Sequence, residues 1–121
     1  MKDKQAKKLA TKYFKWWTHW LGLRYGEINL ELVEFIKSAS GPDVEGKCES
    51  DWRYQDATIT IALHKLREMN KDQIEGLIVH ELMHVFLNEM REEGLDHEER
   101  VATNLQKAFM WVRDGVKKGK L

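Results

Sequence analysis

His80-Glu81-Leu82-Met83-His84 stands inside a strongly helical stretch, and these residue types at this spacing carry the chemistry of the chain. On an α-helix, residues four apart lie one above the other, so the His80 and His84 imidazoles reach toward a single metal ion. Glu81 lies about 100° around the helix from His80, which places its carboxylate against water beside that metal. Two histidines, a third protein ligand and one open position make a hydrolytic zinc site, where zinc activates water for attack on a carbonyl. Glu81 is then the general base that takes the proton from the water and returns it to the leaving amine. The expected cofactor is Zn2+, and both imidazoles must be neutral to hold it.

The third ligand has to come from elsewhere. The nearest ligating residues form Asp96-His97-Glu98-Glu99, in which His97, Glu98 and Glu99 all stand as candidates. At Glu99-Arg100-Val101-Ala102-Thr103 the chain resembles the gluzincin arrangement, HExxH followed by a helix carrying E-x-x-A-[D/N]. That resemblance implies Glu99 as third zinc ligand and Ala102 as the small residue that lets the two helices approach. Thr103 stands where the family has Asp or Asn, the residue that contacts a metal-bound His. More loosely, a leading aromatic helix, strands ending in Thr58-Ile59-Thr60-Ile61-Ala62-Leu63 and then the HExxH helix are similar to small phage-type zinc peptidases. SprT-like and ImmA/IrrE-like domains share that order, and SprT-like domains take a later His, the role in which His97 would be read. The metzincin pattern HExxHxxGxxH is absent, because Leu87 and Met90 hold its glycine and last histidine positions. The resemblance implies a zinc metalloendopeptidase with a protein or peptide substrate.

The elements that position these groups follow from patterning. Ala6, Leu9, Ala10, Tyr13, Phe14, Trp17, Trp20 and Leu21 recur at helical spacing, predicting a helix that ends at Gly22 with its aromatics in the core. Ile28, Leu30 and Leu32 alternate with polar residues, predicting a strand that continues through Val33, Phe35 and Ile36 after a bulge. Ser38 to Gly46 reads as a loop, and Cys48, Ser50, Trp52 and Tyr54 mark a second strand. Gln55-Asp56 allows a reversal into a third strand, Thr58 to Leu63, expected beside the cleft with an unpaired edge for an extended peptide.

Asn70 and Gln73 form a capping-box pattern that starts a helix running to Met90, with Gly94 just past its end. Asp96 is placed to cap a last helix from His97 to Val116, whose apolar stripe is Val101, Leu105, Ala108, Phe109 and Val112. Strands followed by helices predict an α+β domain: N-terminal helix, three-stranded sheet, HExxH helix, ligand-bearing C-terminal helix. The resemblance makes it compact and zincin-like. Tyr54, His64 and His97 are the candidates to stabilise an oxyanion, although His64 reads more simply as a strand-end surface residue.

Composition narrows the classes. The 121 residues suit one domain, and 42% hydrophobic with 33% charged residues fits a folded globular chain rather than a disordered one. The 20 basic and 20 acidic residues cancel, which removes any global pull toward nucleic acid or anionic membrane. Lys2, Lys4, Lys7, Lys8, Lys12 and Lys15 still make the first helix basic, a solvated face before it is a phosphate contact. No apolar run approaches the roughly 20 residues of a membrane span, and charge rather than an apolar signal core follows Met1. Cys48 is the single cysteine, which fits a reducing compartment, so a cytoplasmic location is expected. The alternative function is a zinc-binding regulatory module that holds a protein or DNA partner without hydrolysis. Glu81 speaks against it, since a structural zinc site needs a fourth ligand and no general base.

Overall fold

Ala6, Ala10, Phe14 and Trp17 are buried along one stripe of α1 (Asp3–Trp20), while its lysines stay exposed. Gly22, at φ 65°, takes the left-handed turn that ends this helix, a conformation glycine adopts without steric penalty. Residues 2–23, 27–37, 44–51, 56–87 and 98–119 are described in this computed structural model. Among them are four helices and one three-stranded mixed sheet, an α+β arrangement. The aromatic stripe of α1 is only half buried: Trp20, on the last turn, is exposed and packs beside Trp16 and His19.

The sheet order is β1-β3-β2, from β1 (Glu27–Val33), β2 (Gly46–Asp51) and β3 (Asp56–Ala62). β1 runs parallel to β3 and β2 antiparallel to it, so β3 is paired on both sides. The expectation of an unpaired edge on the third strand is therefore wrong. Its run of β-branched residues suits a strand covered on both faces, and Ile59 and Ile61 are fully buried. β1 and β2 take the edges instead, and β2 has Lys47, Glu49 and Asp51 along it, the charged composition that tolerates an open ladder. β1 also stops earlier than expected. Val33 pairs with Ala62, the last residue of β3, and the chain then turns into α2 (Leu63–Leu66), so Phe35 and Ile36 have no strand to join. Trp52, Tyr54 and Gln55 lie outside the described residues.

α3 (Lys71–Phe86) begins as expected: Asn70 accepts from the Gln73 backbone N–H, and Gln73 accepts from the Asn70 N–H, both at 2.9 Å. Ile74, Ile78, Val79, Leu82, Met83 and Val85 are all buried, so this helix is apolar nearly all round and forms the centre of the core. It ends at Phe86, short of Met90; Met90, Gly94 and Asp96 lie outside the described residues.

α4 (Glu98–Lys117) packs on the core through Ala102, Leu105 and Phe109, the last against Trp17 of α1, but Ala108 and Val112 of the expected stripe face solvent. Arg113 turns inward instead and pairs with Glu75 of α3, which also accepts from Trp17 Nε1 of α1 at 2.7 Å. That buried group joins all three long helices. No helix among the described residues is long and apolar enough to cross a membrane.

A second tie lies on the surface. Arg67 donates to Asp3 at the start of α1 and to Glu34 just after β1. Hydrogen bonding to that guanidinium holds both carboxyls below their ordinary range. Groups whose folded pKa is depressed stabilise the fold above their unfolded pKa and lose that contribution as pH falls through the folded one. Urea midpoints should therefore drop between about pH 5 and pH 2, and drop less in Arg67→Met, which lacks the partner. An equal drop in both proteins would remove Arg67 as a cause.

Candidate metal centre

His80 and His84 lie on the side of α3 that meets α4, one turn apart, with ring centroids 5.1 Å apart. Both rings are nearly covered, at 12% and 8% side-chain exposure, whereas Glu99 on the first turn of α4 is 74% exposed. His80 Nε2 is 2.6 Å from Glu99 Oε1, and His84 Nε2 is 3.0 Å from Glu99 Oε2. One ligand atom from each of His80, His84 and Glu99 lies within 4.8 Å of the others. Ligands about 2.0–2.1 Å from a tetrahedral zinc stand about 3.3 Å apart, so small side-chain rotations would bring the three onto one ion. Two imidazoles and a carboxylate are also a donor set that zinc accepts.

Glu98, the other acidic candidate, is not in this cluster. Its Oε1 lies 3.4 Å from His84 Nδ1, on the far side of that ring. His97 lies outside the described residues.

Glu81 is buried and outside that group of three, and its carboxylate lies near Gly46 of β2. A side chain at Gly46 would start 3.2 Å from Glu81 Cγ and Oε2, and 3.0 Å from Ile61 Cδ1. Gly46 thus lets the β2 backbone pass close over the Glu81 carboxylate. Between β2 and α4 opens a cavity of about 570 Å³, lined by Gly46, Leu77, His80, Glu81, Glu99 and Gln106 among others. Its size is that of ordinary ligand pockets. His80, Glu99 and Glu81 therefore line one space.

The chain matches no protein-family model, no curated protein and no solved structure.

Two residues of the site escape a reading of the HExxH motif. Gln106 of α4 places its Oε1 3.0 Å from His80 Nδ1, while Thr103 Oγ1 is farther from the same nitrogen, at 3.5 Å. Gln106 is seven residues beyond Glu99, on the same helix face, and that spacing was the available signal. Gly76, one turn before His80, is a glycine in the middle of a buried helix, where it costs roughly 1 kcal/mol relative to Ala. Of the oxyanion candidates, His64 is on α2 rather than a strand end, with Nδ1 2.8 Å from the Glu34 carbonyl oxygen. Tyr54 lies outside the described residues.

Proposed function

We propose that this chain is a zinc-dependent peptidase of zincin-like build, with His80, His84 and Glu99 as metal ligands and Glu81 as general base. The observation that carries the reading is a His80/His84/Glu99 cluster of which His80 and Glu99 line one open cavity together with the buried Glu81 carboxylate. A zinc ion held there supplies a Lewis acid that activates water and polarises a carbonyl. Glu81 accepts the proton of the attacking water and delivers it to the departing amine, work for which its buried place beside the cavity suits it. Burial of the His80 and His84 rings fixes their direction, and the exposure of Glu99 leaves the cavity side open to substrate.

The substrate edge belongs to β2, not β3. β2 has one face of its ladder unpaired among the described strands and runs past Glu81 at Gly46. An extended peptide added there would be held by its backbone, with its scissile bond over the cavity.

The first test is metal content. Glu99→Ala should lose zinc that the wild type retains after dialysis, because two imidazoles alone bind it weakly. Full zinc occupancy in Glu99→Ala would remove Glu99 from the ligand set. The second test, hydrolysis by Glu81→Gln, separates a peptidase from a zinc-holding module.

A further inference from the structure

A histidine that binds metal through one ring nitrogen needs an acceptor on the other, which fixes the ring and strengthens the ligand. For His80 the metal side is Nε2, since that atom faces Glu99, and the remaining nitrogen is Nδ1. In the gluzincin-like pattern the acceptor would come from position 103, but Thr103 Oγ1 stands at 3.5 Å, the outer limit of a hydrogen bond. Gln106 Oε1 is at 3.0 Å, a normal distance for N–H···O. The contact therefore comes from one turn farther along α4.

Gly76 supplies an independent observation. A Cβ built on it would lie 2.8 Å from Gln106 Nε2, closer than such atoms approach, and 3.8 Å from Gln106 Cδ. The Gln106 amide lies directly across the Gly76 backbone on its way to His80. Alanine is the better helix former at a buried mid-helix position, so the glycine is accounted for by this close approach.

We propose that Gln106 is the positioning residue of the metal centre: its amide oxygen accepts the Nδ1 proton of His80, and Gly76 provides the seat for that amide. This inference rests on the metal-centre reading. A neutral amide is a weaker acceptor than a carboxylate, so the His80 ligand is less basic here than one backed by Asp. The centre should accordingly hold zinc less tightly than a carboxylate-backed one.

The test is zinc affinity by chelator competition, together with exchange of the His80 ring protons in nitrogen-15 NMR of the metal-free and zinc-loaded protein. Gln106→Leu keeps the size and removes the acceptor; it should weaken zinc binding by roughly 10–100-fold and expose the Nδ1 proton to fast exchange. Gln106→Glu should bind zinc at least as tightly as wild type. Gly76→Ala should push the amide aside and weaken zinc in the same direction, while its melting temperature stays equal or rises. A purely structural Gln106 would not separate affinity from stability in this way. Thr103→Val should leave affinity unchanged.

Wild-type zinc affinity in Gln106→Leu, or a loss in Thr103→Val instead, overturns the proposal. If the wild type takes up no zinc, the metal-centre reading fails first. The Nδ1 proton in metal-free protein still decides between the two: equal exchange in wild type and Gln106→Leu rejects Gln106 as its partner.

Discussion

Glu81→Gln should keep its zinc and lose peptide-bond hydrolysis by roughly 10²–10⁴-fold or more. The side chain is not in the His80/His84/Glu99 cluster, so metal affinity should stay near the wild-type value. Glutamine has the size of glutamate, which matters because the Gly46 backbone passes close to the carboxylate. What it cannot do is accept the proton of the attacking water. A Glu81→Ala comparison would confound that loss with a cavity, so the isosteric change is the cleaner one. A peptide library with zinc present is the first assay, since a narrow peptidase ignores general protein substrates. Hydrolysis surviving in Glu81→Gln would dismiss Glu81 as the base. Absent hydrolysis in zinc-loaded wild type, with a partner bound equally by wild type and Glu81→Gln, would favour the binding module.

What was legible in the chain was local. The Asn70/Gln73 box, the Gly22 stop and the alternation of β1 each depend on residues a few positions apart, and each appears where expected. The i,i+4 pair His80 and His84 is of the same kind, and it places both rings on one helix face with Glu99 opposite. Strand order was harder, because it is decided by long-range competition for the middle of the sheet. The clue lay in composition: Ala57-Thr58-Ile59-Thr60-Ile61 against Lys47-Cys48-Glu49-Ser50-Asp51, one suited to burial on both faces and the other to an edge.

The rotation of α4 was not legible either. Hydrophobicity alone would turn Val112 inward, yet the Glu75 carboxylate on α3 brings Arg113 in, and Val112 is left outside. Gln106 depends on that same rotation, so its contact with His80 emerges only once α4 is docked. A buried acid in an apolar helix was the clue that a cation must arrive from another element.

Glu75→Leu should destabilise the fold by about 3–5 kcal/mol, because it strands a buried guanidinium. The Arg113 side chain is 7% exposed, and Glu75 is its most buried partner; Asp114 and Asp72, at 2.7 and 3.5 Å, sit at the surface. Trp17 Nε1 loses its acceptor in the same variant, which adds an unpaired buried donor. For a chain of this size the change corresponds to a fall in Tm of roughly 10–20 °C. The double variant Glu75→Leu with Arg113→Met should recover much of the loss, since an apolar pair of similar volume often replaces a buried ion pair at little cost. Denaturant midpoints for the two single variants and the double form a cycle that isolates the coupling. A single-variant cost below about 1 kcal/mol would mean that Asp114 and water satisfy Arg113 without Glu75. The consequence reaches the candidate metal centre as well. Glu75 locks α4 against α3, and α4 carries Glu99 and Gln106, so Glu75→Leu should also loosen zinc binding, although the Glu75 side chain is not in the ligand cluster.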